Sequence, residues 1–527
     1  VYKAYILING MKEVNILMEL EKNNLTINQI VAQKLDTAIC EGDCIVPDIK
    51  PDIFSIITSS GIVNIYKKEV MDGKVRVDGA VNTYTMYIAE ENGKREIRSI
   101  NYVLDFSQII NIENAQSDMT LEMQTTLKTV ESRMINERKI NVKAILDLDI
   151  KLFTNTNEEF ITGIADISDL ERMDSTINVN SLIGTGKTKT QAKETISIDS
   201  IDNLAEILKV NLEIANKDTK VSYNKILAKA DTKLKIMYLT DDGRVNETFA
   251  SIPIVGFIDM KDISEDNVCD VQYEIKNMVI KPNGMQEHSI YVEIEIEIIA
   301  SAYETKELNI IQDLYSPSRN LVFEQKQVRA MQNKSNYKGI YNIREKQLLN
   351  IGEEKVYDAD VRVDIENYKI LNDEIWVNGN VNIIFIHSLN NMQEIGTSQM
   401  QLPLEYKMSC KGMKIDNNVK IDVDLPLQDF AILPNGEIEI KIDIEFGVKS
   451  SAEIDINKIC NIKESENSSK NEYNMVIYFT KKEDSLWKIA KEFSSTVDSI
   501  KNYNELASDE ITPGMQLFIT KYVGVNA

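Results

Sequence analysis

The residues that most often perform proton transfer and metal binding are scarce in this sequence. Only two histidines occur, His288 and His387. A histidine-rich metal centre is therefore excluded, and most acid–base mechanisms lose the side chain that titrates near neutral pH. Both histidines fall in or beside strand patterns, which favours a structural role or a surface position over catalysis.

Cysteine chemistry is a second possibility, and five cysteines are available: Cys40, Cys44, Cys269, Cys410 and Cys460. Their number is odd and their spacing wide, unlike the dense, even sets of secreted disulfide frameworks. Cys40 and Cys44 are close, in C-E-G-D-C, but this is not C-x-x-C and no later pair completes a zinc site. We expect free thiols in a reducing compartment.

Rows of carboxylates form a third candidate. Glu293, Glu295 and Glu297 alternate with apolar residues, which suggests a calcium or catalytic cluster. The alternation puts all three on one strand face, where charges also keep a sheet soluble and discourage edge pairing. A solvated face is the better interpretation, and it also covers Asp147 with Asp149 and Asp422 with Asp424.

The fourth candidate is a phosphate-binding loop. Residues 181–188 read S-L-I-G-T-G-K-T, close to G-x-x-x-x-G-K-[ST]. Ser181 replaces the first glycine, no buried strand precedes it and no amphipathic helix follows, so the anion-binding helix terminus is missing. We predict that 178–193 is a linker. With no complete catalytic set, the sequence predicts a protein that is not an enzyme and that needs no cofactor or metal.

The composition of the whole chain favours a scaffold or binding protein. Its 527 residues include 59 basic and 83 acidic side chains, a formal charge of −24. A sequence pI near 4.7 argues against binding nucleic acid through bulk charge. No apolar run reaches the roughly 18 residues of a transmembrane helix, and the opening residues lack a signal-peptide cleavage site. We expect an intracellular protein of three or four domains without a transmembrane segment.

The elements that must position any site are arranged in an internal repeat. Alternating strand patterns recur at 73–81, 224–230 and 373–381. Each pattern passes a small residue (Gly79, Ala230 or Gly379) and continues into a second strand. A small residue inside a strand indicates a bulge or a close approach of another backbone. Turns such as 241–243 and 434–436 should separate the strands.

The three repeats also end alike, in long runs of alternating apolar residues at 140–150, 290–298 and 438–446. Alternation of this length means that one strand face is buried and the other wet. We predict a mainly β protein with three tandem antiparallel β-sandwich-like repeats. The predicted boundaries are 1–43 for an N-terminal lead-in, 44–177, 188–315 and 339–461 for the repeats, and 462–473 for a linker. A further linker is predicted at 316–338, and 30–40 is either a helix on the first repeat or part of the lead-in.

The period changes after the last linker, and residues 474–522 predict a small βααβ module that the spacer makes independently mobile. Asp484 or Ser485 should cap the first helix. The expected inward residues are Leu486, Ile489, Ala490 and Phe493 in the first helix and Val497, Ile500 and Tyr503 in the second.

This module resembles the LysM domain, on the strength of D-S-L-W-K-I-A at 484–490, Tyr503-Asn504 and I-T-P-G-M-Q-L at 511–517. LysM domains typically bind N-acetylglucosamine-containing glycans in a shallow groove, which the resemblance places beside 483–485 and 507–513. Glu483 departs from the family's usual glycine and could obstruct a sugar. Trp487 lies in the helix pattern, where a core role and an exposed contact role are both open.

The three β repeats resemble the sporulation-coat (SPOCS) domain. The first has its typical opening, V-P-D-I-K-P-D-I at 46–53, whereas the others match by strand pattern and spacing. Three such domains followed by a LysM domain are the architecture of a family of clostridial spore coat morphogenesis proteins. The resemblance implies a non-enzymatic scaffold in the mother-cell cytoplasm, at the forespore surface and spore coat. It would bind the coat-basal-layer morphogenetic ATPase through the LysM domain and help to encase the forespore.

Two kinds of partner follow from these resemblances. For the ATPase, with other coat proteins as further partners, the expected LysM contacts are Lys482, Asp484, Trp487, Lys488, Ile500 and Tyr503. The alternative is a peptidoglycan-binding cell-wall or cortex anchor, which is the ordinary task of a LysM domain. The lack of an export signal and the presence of Glu483 both disfavour the glycan.

Overall fold

The computed structural model describes residues 19–91, 94–165, 167–199, 201–283, 288–348, 355–389, 394–433, 436–465 and 474–520. Within these ranges nearly all regular structure is β-strand, and two short helices lie near the C-terminus. The mainly β fold predicted from the alternating patterns is confirmed. The predicted turn at 241–243 forms, with Gly243 at φ 84°, whereas 434–435 lie outside the described residues.

The first unit contains six antiparallel strands in two sheets. They are β1 (Leu20–Ile45), β2 (Ile53–Met71), β3 (Lys74–Glu91), β4 (Lys94–Asn111), β5 (Thr120–Asn136) and β6 (Lys139–Ile164). One sheet has the order β1-β6-β5 and the other β2-β3-β4. The inner faces of both sheets share one apolar core, so the unit is a β-sandwich. Because β6 is a middle strand, alternate residues from Ile140 to Leu152 are fully buried.

The second and third units repeat this arrangement. The second has β7 (Glu171–Ser197), β8 (Leu204–Ser222), β9 (Lys225–Thr240), β10 (Val245–Asp259), β11 (Val268–Pro282) and β12 (Ser289–Tyr315). The third has β13 (Leu321–Leu348), β14 (Val356–Leu371), β15 (Glu374–Leu389), β16 (Glu394–Ser409), β17 (Asn418–Ile432) and β18 (Glu437–Glu464). Their sheets are β11-β12-β7 with β10-β9-β8, and β13-β18-β17 with β14-β15-β16. The three predicted runs of alternating apolar residues are thus the middle strands β6, β12 and β18.

The first strand of each unit begins before the boundary predicted from the sequence. β1 contains residues 30–40, which excludes a helix there, and β7 contains all of 178–193. The linkers predicted at 178–193 and 316–338 are therefore wrong, since β7 and most of the second segment are paired strands. The misleading feature is the outer face of an edge strand, where exposed Lys187, Lys189 and Lys193 alternate with less exposed residues.

Small residues in the middle strands mark bulges, as predicted. Gly79 pairs with Ile65 where the β2–β3 register shifts, and Gly379 pairs with Ile365 at the matching shift between β14 and β15. A Cβ on Gly379 would collide with the carbonyl oxygen of Asp364. In the second unit Ala230 lies beside the corresponding shift, next to Asp231. The small side chains therefore leave room for the bulged backbone of the neighbouring strand.

The three units enclose a common centre instead of forming a row. Ion pairs join every pair of units: Lys68 with Glu274, Lys209 with Asp358, and Lys420 with Asp149. One apolar cluster takes residues from all six long strands, namely Ile27, Phe160, Val179, Ile310, Val328 and Ile456. A second contains Met86, Met237 and Ile386, one from the middle of each shorter sheet. Each unit thus contacts the other two.

The C-terminal module has the predicted βααβ order. It consists of β19 (Met475–Phe479), α1 (Leu486–Glu492), α2 (Val497–Tyr503) and β20 (Gln516–Thr520), with β19 and β20 antiparallel. Ser485 caps α1 by accepting a hydrogen bond from the backbone N–H of Lys488, and Thr496 caps α2 in the same way. The module packs against the end of β12, which corrects the expectation that it is independent of the β units.

Candidate partner-binding site

The first loop of the C-terminal module is held together by Asp484. Its carboxylate accepts hydrogen bonds from the backbone N–H of Lys481, at 2.7 Å, and from the Tyr478 hydroxyl, at 2.8 Å. These donors lower the pKa of Asp484, the backbone N–H having the larger effect. Lys488 Nζ donates to the carbonyl oxygen of Glu483, at 3.1 Å. Asp484, predicted as a partner contact, is thus engaged inside the loop.

The second loop is tied to the first by Thr480. The Thr480 hydroxyl donates to the carbonyl oxygen of Thr512 and accepts from the backbone N–H of Met515. Gly514, at φ 85°, occupies a conformation that favours glycine. The backbone of Glu483 needs no such conformation, because it is not among the positive-φ residues of the described chain. The loops at 480–485 and 512–515 are therefore held side by side.

The remaining predicted contacts divide by exposure. Lys482 and Lys488 are exposed, and Tyr503 is 59% exposed, which corrects its predicted inward orientation. Ile500 is fully buried in the module's core with Leu486 and Leu517. A buried side chain cannot touch a partner while the module is folded, so the expected contact role of Ile500 is corrected to a core role.

Trp487, whose role the sequence left open, faces the second β unit. Its Nε1–H donates to the Asp313 carboxylate at 2.7 Å, and its ring meets that of Tyr315 edge to face, with centroids 5.0 Å apart. Lys491, one helical turn later, places Nζ 2.5 Å from Asp313 and 4.9 Å from the centre of the Phe323 ring. We call Trp487 and Lys491 the α1 face. Sequence reasoning missed this contact because its two sides are more than 170 residues apart.

Strands β19 and β20 present an exposed apolar surface that sequence reasoning also missed. Met475, Ile477 and Phe479 alternate along β19 and are 52%, 54% and 60% exposed, and Phe518 of β20 is 40% exposed. Ile477 and Phe518 are paired across the two strands. We call these four residues the β19–β20 face. The available signal was the alternation of β19, whose other side chains, Val476 and Tyr478, pack into the module's core.

Catalytic geometry does not emerge from the histidines and cysteines. His288 Nδ1 lies 2.6 Å from the carbonyl oxygen of Asp202, and His387 is 98% buried, with Nε2 2.8 Å from Ser398 Oγ. Both positions are structural. Burial raises the pKa of the Cys40 and Cys410 thiols to about 11, which keeps them protonated and unreactive near neutral pH. All five cysteines are free.

The carboxylate rows form ion pairs across strands. Glu293, Glu295 and Glu297 face Lys193, Lys189 and Lys187 of β7. A solvated position describes Glu293 and Glu295, but Glu297 is buried and also pairs with Lys276 at 3.0 Å. Asp424 was also expected on a solvated face, but it forms an ion pair with Lys217 of the second unit at 2.6 Å. Among the described residues no group of three His, Cys, Asp or Glu could hold a metal ion.

Comparison with protein families gives matches over most of the three β units and the C-terminal module. The model of the SipL, SPOCS domain matches residues 52–135, 203–283 and 354–433, and that of the LysM domain matches 478–520. The SPOCS matches coincide with β2–β5, β8–β11 and β14–β17 and leave out the long strands around them. No curated protein and no solved structure matches the chain significantly.

Both domain types are non-catalytic binding domains, and in the part of the chain that the structure describes no helix is long and apolar enough to cross a membrane. The SPOCS domains connect the chain with sporulation, and the LysM domain supplies a binding module. This protein is accordingly SipL-like, a spore-associated chain of three SPOCS domains and a C-terminal LysM domain.

Proposed function

We propose that this protein is a non-enzymatic scaffold of endospore coat assembly. It acts in the mother-cell cytoplasm at the forespore surface, where its LysM domain binds the coat-basal-layer morphogenetic ATPase and the bound chain helps to encase the forespore. The observation that carries the proposal is the domain order, three SPOCS domains followed by LysM. Other coat proteins are further partners of the SPOCS units.

The surface of the LysM domain supports a protein partner. The β19–β20 face groups four exposed apolar side chains on two short strands. Contiguous exposed apolar area of this kind marks protein interaction sites, in which aromatic residues and methionine are enriched. Lys482, Lys488 and Tyr503 are also exposed and remain predicted contacts.

The alternative function, a peptidoglycan-binding anchor in the cell wall or cortex, draws support from the same domain. The loops that border the glycan groove of LysM domains are present and their residues 507–510 are exposed. Against this alternative, the Glu483 side chain projects at the entrance of the first loop, where it is exposed. We therefore place the glycan second.

The test compares both ligands on the full chain. Affinity for the purified coat ATPase is measured by calorimetry, and co-sedimentation with purified peptidoglycan is measured in parallel. Ile477→Glu puts a charge in the middle of the β19–β20 face and should weaken ATPase binding about tenfold or more, a cost of about 1.4 kcal/mol or above. Lys482→Glu tests the predicted basic contact in the same assay.

The matched control is Ile340→Glu, which makes the same change at an isoleucine of the third unit that is 52% exposed. It should bind the ATPase as the unchanged chain does. Sedimentation with peptidoglycan, without ATPase binding, would contradict the proposal and establish the anchor. Equal ATPase binding by the Ile477→Glu chain would move the contact away from the β19–β20 face.

A further inference from the structure

The α1 face of the LysM domain already has an occupant, the end of strand β12. Asp313 receives both polar groups of the face, the indole N–H of Trp487 at 2.7 Å and the ammonium of Lys491 at 2.5 Å. Tyr315, two residues on, stacks edge to face with Trp487. The occupant is thus a carboxylate and an aromatic ring at alternate positions of a strand end.

Apart from Tyr315, the buried core of the LysM domain consists of residues from the LysM domain itself. Leu486, Ile489, Ala490, Ile500, Leu517 and Ile519 fill it, and Tyr315 is the one buried residue from the β units in that cluster, within the described chain. The side chains of Lys491 and Asp313 keep 36% and 21% of their exposure. A small, partly solvated contact of this kind joins two bodies that each have their own core.

The short covalent connection between the third unit and the LysM domain favours formation of this small contact. β18 ends at Glu464 and β19 begins at Met475, so ten residues join the LysM domain to the third unit. A short connection gives an intramolecular contact a high effective concentration, which holds it closed although each interaction is weak. The same weakness lets a partner displace the contact.

We propose that the α1 face is a second recognition surface of the LysM domain, specific for an acidic residue beside an aromatic ring on a protein strand, and that Asp313 and Tyr315 occupy it in cis. A protein partner that presents the same chemistry competes with this cis ligand. The proposal rests on the proposed function, because it assigns the competing segment to the ATPase. Only chains whose LysM domain has left β12 bind through this face, so cis docking lowers the apparent affinity.

The first measurement follows Trp487 alone. In a Trp376→Phe background, acrylamide quenching of the remaining tryptophan reports whether the α1 face is covered. Asp313→Lys places a like charge against Lys491 and should raise the quenching constant at least twofold. The reverse pair, Asp313→Lys with Lys491→Asp, should restore protection, which also shows that the Asp313→Lys chain folds.

Gln312→Lys is the control, because Gln312 is exposed and the substitution introduces the same lysine side chain one residue away from Asp313. Its quenching should equal that of the unchanged chain. Quenching that does not respond to Asp313→Lys would overturn the proposal, since the α1 face would then not depend on its carboxylate ligand.

The second measurement is affinity for the coat ATPase. The Asp313→Lys chain should bind three- to tenfold more tightly than the unchanged chain. Adding Lys491→Asp to it should remove this gain, because the α1 face would then repel the partner's acidic residue. Equal affinities of open and closed chains would overturn the proposal, because the partner would then not use the α1 face. Absence of ATPase binding by every chain is a different result, which refutes the proposed function and with it the competing partner.

Discussion

Single small residues in the middle strands make room for bulges in the neighbouring strands of the β units. Gly79 and Gly379 could be assigned to bulges from sequence because a glycine interrupts an alternating pattern. Trp487 could not be placed in this way. Its helical spacing was visible, but its partner Asp313 lies in another domain, and no local pattern connects them. Periodicity thus predicts what a residue does for its own strand or helix, and it is silent on contacts between distant segments.

Gly379→Ala should destabilise the third unit. The added Cβ would meet the Asp364 carbonyl oxygen, a backbone atom that cannot move away cheaply. We expect a loss of about 2 kcal/mol in the free energy of unfolding, measured by urea denaturation. Gly447→Ala is the control, because its Cβ would lie 3.8 Å from the nearest atom. A loss of equal size in both variants would contradict the bulge explanation.

At the scale of strands, the middle ones were predicted well and the edge ones poorly. β6, β12 and β18 have one fully buried face, so their alternation is strong. β7 and β13 were mistaken for linkers because their outer faces are rich in lysine and glutamine. The lysines of β7 lie opposite the glutamates of β12, and this complementarity was the signal that could have paired the two strands. The four elements of the LysM domain were predictable because each follows a short, clear period.

A buried ion pair joins strand β8 of the second unit to strand β14 of the third unit. Its removal should destabilise the assembly of the three β units. Lys209 and Asp358 lie 2.7 Å apart, and both side chains are at least 98% buried. Lys209→Met leaves Asp358 with one basic partner fewer, and we expect a cost of about 3 kcal/mol in the free energy of unfolding. Lys225→Met, at an exposed pair with Asp259, should change it by less than about 0.5 kcal/mol. Similar values for both variants would refute the role of burial.

Asp358 should also make stability depend on acid. Burial alone would raise its pKa, but Lys209 and Lys235 lower it to about 2, against 3.8 for the ordinary group. A lowered pKa means that the stabilisation is complete above about pH 4 and is lost as the pH falls toward 2. Urea denaturation should show about 2 kcal/mol lost through this window. The Asp358→Asn chain should lose correspondingly less, and an identical acid dependence would contradict the assignment.

At the scale of the molecule, the repeat count and the sandwich class were visible in the sequence, but the closed arrangement of the units was not. It depends on side chains such as Lys209 and Phe160, whose partners belong to other repeats. Since each unit contacts the other two, we expect the three units to unfold together and not independently. Their stability is shared through the clusters that contain Phe160 and Met237.

Thermal unfolding should therefore show one cooperative transition for the three SPOCS units. Calorimetry checks this by comparing the measured enthalpy with the van't Hoff value. Phe160→Ala should lower the free energy of unfolding of all three units together by about 3 kcal/mol, because the side chain is fully buried where the units meet. The LysM domain has its own core and can melt separately. Three resolved transitions for the β units would show that they are independent.

Because the three β units lie on one polypeptide, equivalent positions in the units can hold different residues. Phe160 and Ile310 occupy equivalent places, each just before an isoleucine at the same register shift, and Lys458 holds that place in the third unit. Lys458 pairs with Glu158 and lies over the Phe160 ring. In a trimer of identical subunits one codon change would put three ammonium groups at the junction. In a single chain with three units, one apolar side chain can be replaced by a charged one while the two equivalent positions stay apolar.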